Sequence, residues 1–217
     1  MDTDLISTKN DRSEELPEAR MDRDVEPGMC WGNDLVVKLI MAGREAWIKG
    51  LISGMSGNLS LRCTEHMLIT CSGVCKGRLQ RKNIIRVNLQ SKEALDPGRM
   101  SSEAEMHQAV YAACPHAQAI IHVHPVHLLA LDQTWVDLLD VDLFEAEQIR
   151  KELRHVPALP PGSEELAQAV AEAAASARAI FMARHGLTCW GEDLDHALSL
   201  AEEIEILARI QVLSGLC

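Results

Sequence analysis

His122 and His124 stand two apart in the apolar run AIIHVH, residues 119–124. Side chains alternate faces along an extended strand, so both imidazoles point the same way. Two imidazoles on one face suit a divalent ion such as zinc, whose Zn–N bonds are about 2.0–2.1 Å. The same pair also fits one core histidine beside one exposed histidine, so the metal reading needs further ligands. His185 precedes Gly186 between two apolar runs, at a rim where backbone can approach a ligand closely. Glu103 follows Ser101 and Ser102 at a helix start, where a carboxylate gains from the positive helix end. Taken singly, His185 is also an ordinary turn residue and Glu103 an ordinary capping acid. Three histidines and one carboxylate together suit a catalytic divalent ion, the carboxylate being free to leave and serve as a base. His127 is placed to support a ligand from behind. His107 and His196 read as helix residues of surface or core. His66, His116 and His155 read as loop or strand-end residues.

A second group of residues suits an anion. Ser56-Gly57-Asn58 and Ser72-Gly73 join short strands by turns that can present backbone N–H groups. Ser101 and Ser102 add hydroxyls at a helix N-terminus. Each turn also fits plain turn geometry.

These residues need elements to position them. Periodicity begins at Asn33, read as an N-cap, and predicts a helix to about Gly50. Leu59, Leu61 and the run 67–70 predict two short strands, and 84–89 a further strand, with CSGVCKGRLQ as a loop between them. Ser101-Ser102 with Glu105 predicts a helix to about Ala113. The run 119–124 is a buried-type strand, and Pro125 opens a helix over 125–131. Residues 132–161 give no clear pattern. Ser163 caps a helix over 163–176, strands follow at 179–183 and 187–190, and an amphipathic helix over 194–213 closes the chain. There is no regular βαβ rhythm and no GxGxxG fingerprint, so a layered α/β domain with a mixed or largely antiparallel sheet is expected.

Composition bounds the function. The 217 residues suffice for one domain, with 47% apolar and 24% charged residues, while 3% aromatics demand an aliphatic core. The net charge of -11 argues against a nucleic-acid partner, which needs a basic footprint. No apolar run approaches the roughly 20 residues of a membrane helix. Residues 1–28 are rich in Asp, Glu, Arg and Pro, lack an apolar signal core, and read as a disordered tail before a catalytic domain at 29–217. The seven scattered cysteines form no CxxC pair and fit buried or free thiols in a cytoplasmic protein.

The segments SGNLSLR, MLITCSGV, SSEAEMH, HVHPVH and ARHGLTCWGEDLDHALSLAEEIEILA occur in the order and spacing of a known family. From about residue 33 to 213 the chain resembles the class II aldolase/adducin-head family, and within it the fuculose-phosphate aldolases. The resemblance implies a three-layer α/β/α fold around a central, mostly antiparallel sheet. It implies zinc, or another divalent metal such as Mn2+ or Co2+, on Glu103, His122, His124 and His185. It implies a phosphate pocket at Gly57, Asn58, Ser72, Gly73, Ser101 and Ser102. It further implies a small phosphorylated sugar as substrate and a cyclic homotetramer with sites near subunit boundaries. The implied chemistry is cleavage of a ketose or deoxyketose 1-phosphate to dihydroxyacetone phosphate and an aldehyde through a metal-stabilised enediolate, with Glu103 moving the proton at carbon.

The chain departs from the fuculose-phosphate pattern at one point. That type places a tyrosine acid from the adjoining subunit in the segment after the HxH strand. Here the segment reads VDLFEAEQIR, and the single tyrosine, Tyr111, falls in the helix after SSE. Glu145 and Glu147 are the acids in that segment; they also fit plain exposed charges. The departure keeps other reactions of the scaffold open: dehydration of methylthioribulose 1-phosphate, decarboxylation of a sugar-acid phosphate, epimerisation of a ribulose 5-phosphate, or a non-catalytic adducin-like module.

Overall fold

The computed structural model describes residues 33–134 and 136–215. The expected tail, 1–28, lies outside them. The elements run α1 (Asn33–Ile48), β1 (Asn58–Cys63), β2 (His66–Thr70), β3 (Ile84–Asn88), α2 (Ala104–Ala113), β4 (Ala119–Val123), α3 (Val126–Asp132), α4 (Phe144–Glu152), β5 (Leu153–Val156), α5 (Glu164–Ala174), β6 (Ala179–Met182), β7 (Gly186–Gly191) and α6 (Leu194–Leu213). Two single 3₁₀ turns, Lys76–Arg78 and Arg81–Asn83, fill the loop before β3.

The seven strands form one sheet in the order β3-β2-β1-β4-β7-β6-β5. Every neighbouring pair is antiparallel except β5 and β6. Alternation along the strands divides the core. Leu59, Ile121, Phe181 and Leu187 face α1, α3 and α6. Ile69, Ile120, Ile180 and Met182 face α2 and α5. The result is the expected α/β/α layering, built from aliphatic side chains on both faces.

Three expectations about the elements need correction. The helix after SSE starts at Ala104, so Ser101 and Ser102 lie in the bend before it. His124 lies just past the end of β4, where its N–H donates to Leu51 O. The stretch 132–161 holds α4 and β5. In α4, FEAEQIRKE, only Ala146 is buried, and in β5 only Val156 is, so neither shows an apolar period. The Ser163 signal acts as read: its hydroxyl accepts from Leu166 N and starts α5.

Candidate metal centre

β4 is central in the sheet, and His122 lies on its α2/α5 face with 0% exposure. Its register places Asn58 of β1 on one side and Thr188 of β7 on the other. His122 Nδ1 lies 3.2 Å from both Leu187 O and Thr188 Oγ1. A carbonyl only accepts, so Nδ1 carries the proton and the Nε2 lone pair faces the cluster. His124 Nε2 lies 3.0 Å from His122 Nε2. His185 arrives from the turn between β6 and β7. Arg184 holds that turn at φ 59°, with its N–H given to Asp132 at the end of α3. Gly186 lets β7 pass the rings: a Cβ there would meet Val123 O at 2.6 Å and His124 Cδ2 at 2.7 Å.

Glu103 caps this cluster from the start of α2. Its Oε2 lies 3.2 Å from His122 Nε2 and accepts from Asn58 Nδ2 at 2.8 Å. Its Oε1 comes within 3.0 Å of His185 Nε2 without hydrogen-bond alignment, so this buried oxygen has no hydrogen-bond partner among the described residues. His185 Nδ1 is buried and equally unsatisfied. The three histidines offer ligand atoms within 4.8 Å of one another. Converging lone pairs with orphaned buried atoms are the arrangement a divalent cation would satisfy, so the residues fit such an ion.

The electrostatics agree with a cation-ready site. Burial pushes the His122 imidazole down to about 3, against the attraction of Glu103. Burial also lowers His124. Both rings therefore keep their lone pairs at neutral pH. Burial works to raise the Glu103 carboxyl, but His122, His185 and the Asn58 amide outweigh it and hold the group below the usual carboxylate range.

A cleft of about 300 Å³ opens beside the cluster, with Glu103, His124 and His185 in its wall. Gly57, Asn58, Ser72, Ser101 and Ser102 line the same cleft, so the residues read as an anion cradle come together there. Gly57 is required at its place: its φ is +68°, and a Cβ would sit 2.6 Å from His122 O. Gly73 is exposed and outside the wall. Glu145 and Glu147 are exposed on α4 and also outside the wall formed by their own chain. His127 does not stand behind the cluster. Its ring and backbone N–H engage Glu205 of α6, which thereby secures the start of α3.

Two cleft-side features escaped the sequence reading. Lys76 is 1% exposed, lines the cleft, and donates from Nζ to Met55 O and Val74 O, tying together the turns that carry Gly57 and Ser72. Burial lowers its ammonium from the ordinary lysine value. Its surroundings in KGR resemble any loop lysine, so only the fold reveals it. The second is a chain of buried polar groups behind Glu103, running through His107.

Residues 37–212 match the family model described as the class II aldolase and adducin N-terminal domain. An L-fuculose phosphate aldolase of Haemophilus influenzae is 34% identical over 175 residues, covering 81% of each chain. A 3-oxo-tetronate 4-phosphate decarboxylase of the same organism is 30% identical over 186 residues, covering 82% of this chain and 87% of that one. The crystal structure of an L-fuculose-1-phosphate aldolase from Thermus thermophilus superposes with a TM-score of 0.73 at 31% identity, covering 84% of this chain and 95% of that one. This chain belongs to the class II aldolase and adducin N-terminal domain family.

Proposed function

We propose that the protein is a divalent-metal-dependent aldolase acting on a ketose or deoxyketose 1-phosphate, with Glu103, His122, His124 and His185 holding zinc or a similar ion such as Mn2+ or Co2+. The observation that carries this reading is the convergence of these four side chains beside a cleft whose wall contains Glu103, His124 and His185 together with the Gly57, Asn58, Ser72, Ser101 and Ser102 cradle. When bound, the ion supplies Lewis acidity toward the substrate carbonyl and adjacent hydroxyl. The cradle and Gly73 of its neighbouring turn hold the phosphate with backbone N–H groups and hydroxyls, which fixes the distance from phosphate to reacting carbon. In the condensation direction, ionised Glu103 takes a proton from C3 of dihydroxyacetone phosphate. The resulting enediolate carbon bonds to the aldehyde carbon, and an acid protonates the aldehyde oxygen. Cleavage is the reverse.

Glu145 and Glu147 are our candidates for that acid, supplied across a subunit boundary. This requires the cyclic homotetramer, a reading supported by large apolar side chains that one chain leaves uncovered, among them Met41, Ile48, Val126 and Phe144. Thiols at Cys71, Cys75, Cys114 and Cys189 are consistent with a cytoplasmic setting. Among the described residues no helix is long and apolar enough to cross a membrane.

A second reading, decarboxylation or dehydration of a sugar phosphate on the same scaffold, is favoured by the missing tyrosine and by the similarity to a 3-oxo-tetronate 4-phosphate decarboxylase. The deciding assay gives zinc-loaded protein L-fuculose 1-phosphate and 5-deoxyribulose 1-phosphate and follows dihydroxyacetone phosphate. Release that disappears in Glu103→Gln supports the aldolase. No release from either sugar by metal-loaded protein refutes it and favours the second reading.

A further inference from the structure

Glu103, His107 and Tyr111 follow one another at intervals of four residues across the start and length of α2, so they share a helix face. Asn58, Ser60 and Arg62 alternate along β1 and share the strand face opposite. The two rows interlock. Asn58 Nδ2 donates to Glu103 Oε2 at 2.8 Å. Asn58 Oδ1 lies 2.5 Å from His107 Nε2. His107 Nδ1 lies 2.7 Å from Ser60 Oγ, and Ser60 Oγ lies 2.9 Å from Tyr111 OH. Arg62 closes the row over the Tyr111 ring, with its guanidinium carbon 4.7 Å from the ring centroid. Ser60 and His107 are 0% exposed, so water cannot substitute for any link between them.

The carboxylate dictates the direction of the whole chain. Glu103 Oε2 only accepts, so the amide of Asn58 must turn its nitrogen toward it. The amide oxygen then faces His107 and also only accepts, so His107 carries a proton on Nε2. The ring nitrogens of this fully buried imidazole meet an amide oxygen and a hydroxyl rather than a carboxylate, so the ring stays neutral. Its Nδ1 therefore accepts, Ser60 donates to it, and Ser60 accepts from the Tyr111 hydroxyl. Burial raises that phenol above its ordinary value, so it keeps its proton. Each donor in the series points toward Glu103, and such aligned bonds reinforce one another in a low-dielectric interior.

We propose that His107 is a positioning residue: as the Nε2–H tautomer, backed by Ser60 and Tyr111, it locks the Asn58 amide so that one amide N–H orients Glu103 and the other remains for the cleft. Asn58 is thus the joint between the anion cradle and the carboxylate, and its polarity is set from behind. The inference rests on the reading of Glu103 as metal ligand and base, and assigns this chain's lone tyrosine an interior role.

The test uses the metal-loaded protein and three variants. Zinc affinity is measured by competition with a chelator, and the His107 tautomer by ¹⁵N NMR of the imidazole. Partners that orient metal ligands are worth about 10–100-fold in affinity, so His107→Leu should weaken zinc by at least about tenfold. His107→Gln, which keeps an N–H for Asn58 Oδ1, should restore most of it. Ser60→Ala, a smaller change, should shift the ring away from the single Nε2–H tautomer seen in wild type. Wild-type zinc affinity in His107→Leu, or a wild-type ring protonated on Nδ1, overturns the inference. Should His107→Leu fail to fold, the NMR tautomer in wild type and Ser60→Ala decides alone. A wild-type protein that binds no zinc refutes the metal reading itself, a result distinct from zinc binding that is indifferent to His107.

Discussion

Replacing His107 by Gln should flatten the pH dependence of stability. The imidazole is held at about 4 in the fold by burial, which outweighs the opposing attraction of Glu103. In the unfolded chain it returns to about 6.5. Between these values the unfolded state binds the extra proton, so stability rises with pH and is lost as pH falls. From pH 7 to pH 5 one such ring removes about 2 kcal/mol, which is about 4–8 °C in melting temperature for a chain of this size. His122 acts in the same direction, its ring being held at about 3. Carboxylates with lowered values, such as Asp96, lose their contribution mainly below this window. The assay is urea unfolding at pH 7 and pH 5, with metal chelated and protein concentration fixed. Wild type should lose about 2 kcal/mol more over that interval than His107→Gln. Equal losses in the two proteins would show that the ring is not held neutral, and the donor order from Tyr111 to Glu103 would be wrong.

Other perturbations separate the parts of the site. His122→Ala should reduce bound metal to below about 0.2 per chain while far-ultraviolet dichroism stays native; wild-type content would refute the ligand assignment. Lys76→Met removes the donor to Met55 O and Val74 O, and should weaken inorganic phosphate binding to metal-loaded protein about tenfold, or about 1.4 kcal/mol, by calorimetry with metal content unchanged. Gly186→Ala forces a Cβ against Val123 O and the His124 ring, and should cost about 1–3 kcal/mol in unfolding along with weaker zinc retention.

The candidate residues that converge beside the cleft were legible because each carries its chemistry in its type. The spacing of His122 and His124 suggests rings on one side of the chain, which holds although His124 lies just past the end of β4, and five motifs in register show the family. The partner chain of His107 was not legible. Its signal is the four-residue spacing of Glu103, His107 and Tyr111 set against the two-residue spacing of Asn58, Ser60 and Arg62, and neither row means anything until β1 is known to lie under α2. Lys76 was invisible for a similar reason, because its burial comes from two loops closing over it. β5 was missed because an exposed edge strand needs no apolar alternation. His127 misled because three residues of separation suggest proximity to His124, whereas the helix turns its ring toward α6.

The strand order also bears on how this scaffold can change. Asn58, His122 and Thr188 sit side by side on the three middle strands, while α4 and β5 occupy one margin. Middle strands are paired on both edges, so a substitution there disturbs two ladders and the rings between them. The margin has one open edge, but Leu139, Val141, Ala146 and Val156 are buried there and Pro161 lines the cleft, so the positions free to vary without disturbing the central register are exposed ones such as Glu145, Glu147 and Gln148. Exposed positions on α4 can therefore change with little effect on folding, whereas Asn58, His122 and Thr188 are each held by neighbours on both sides.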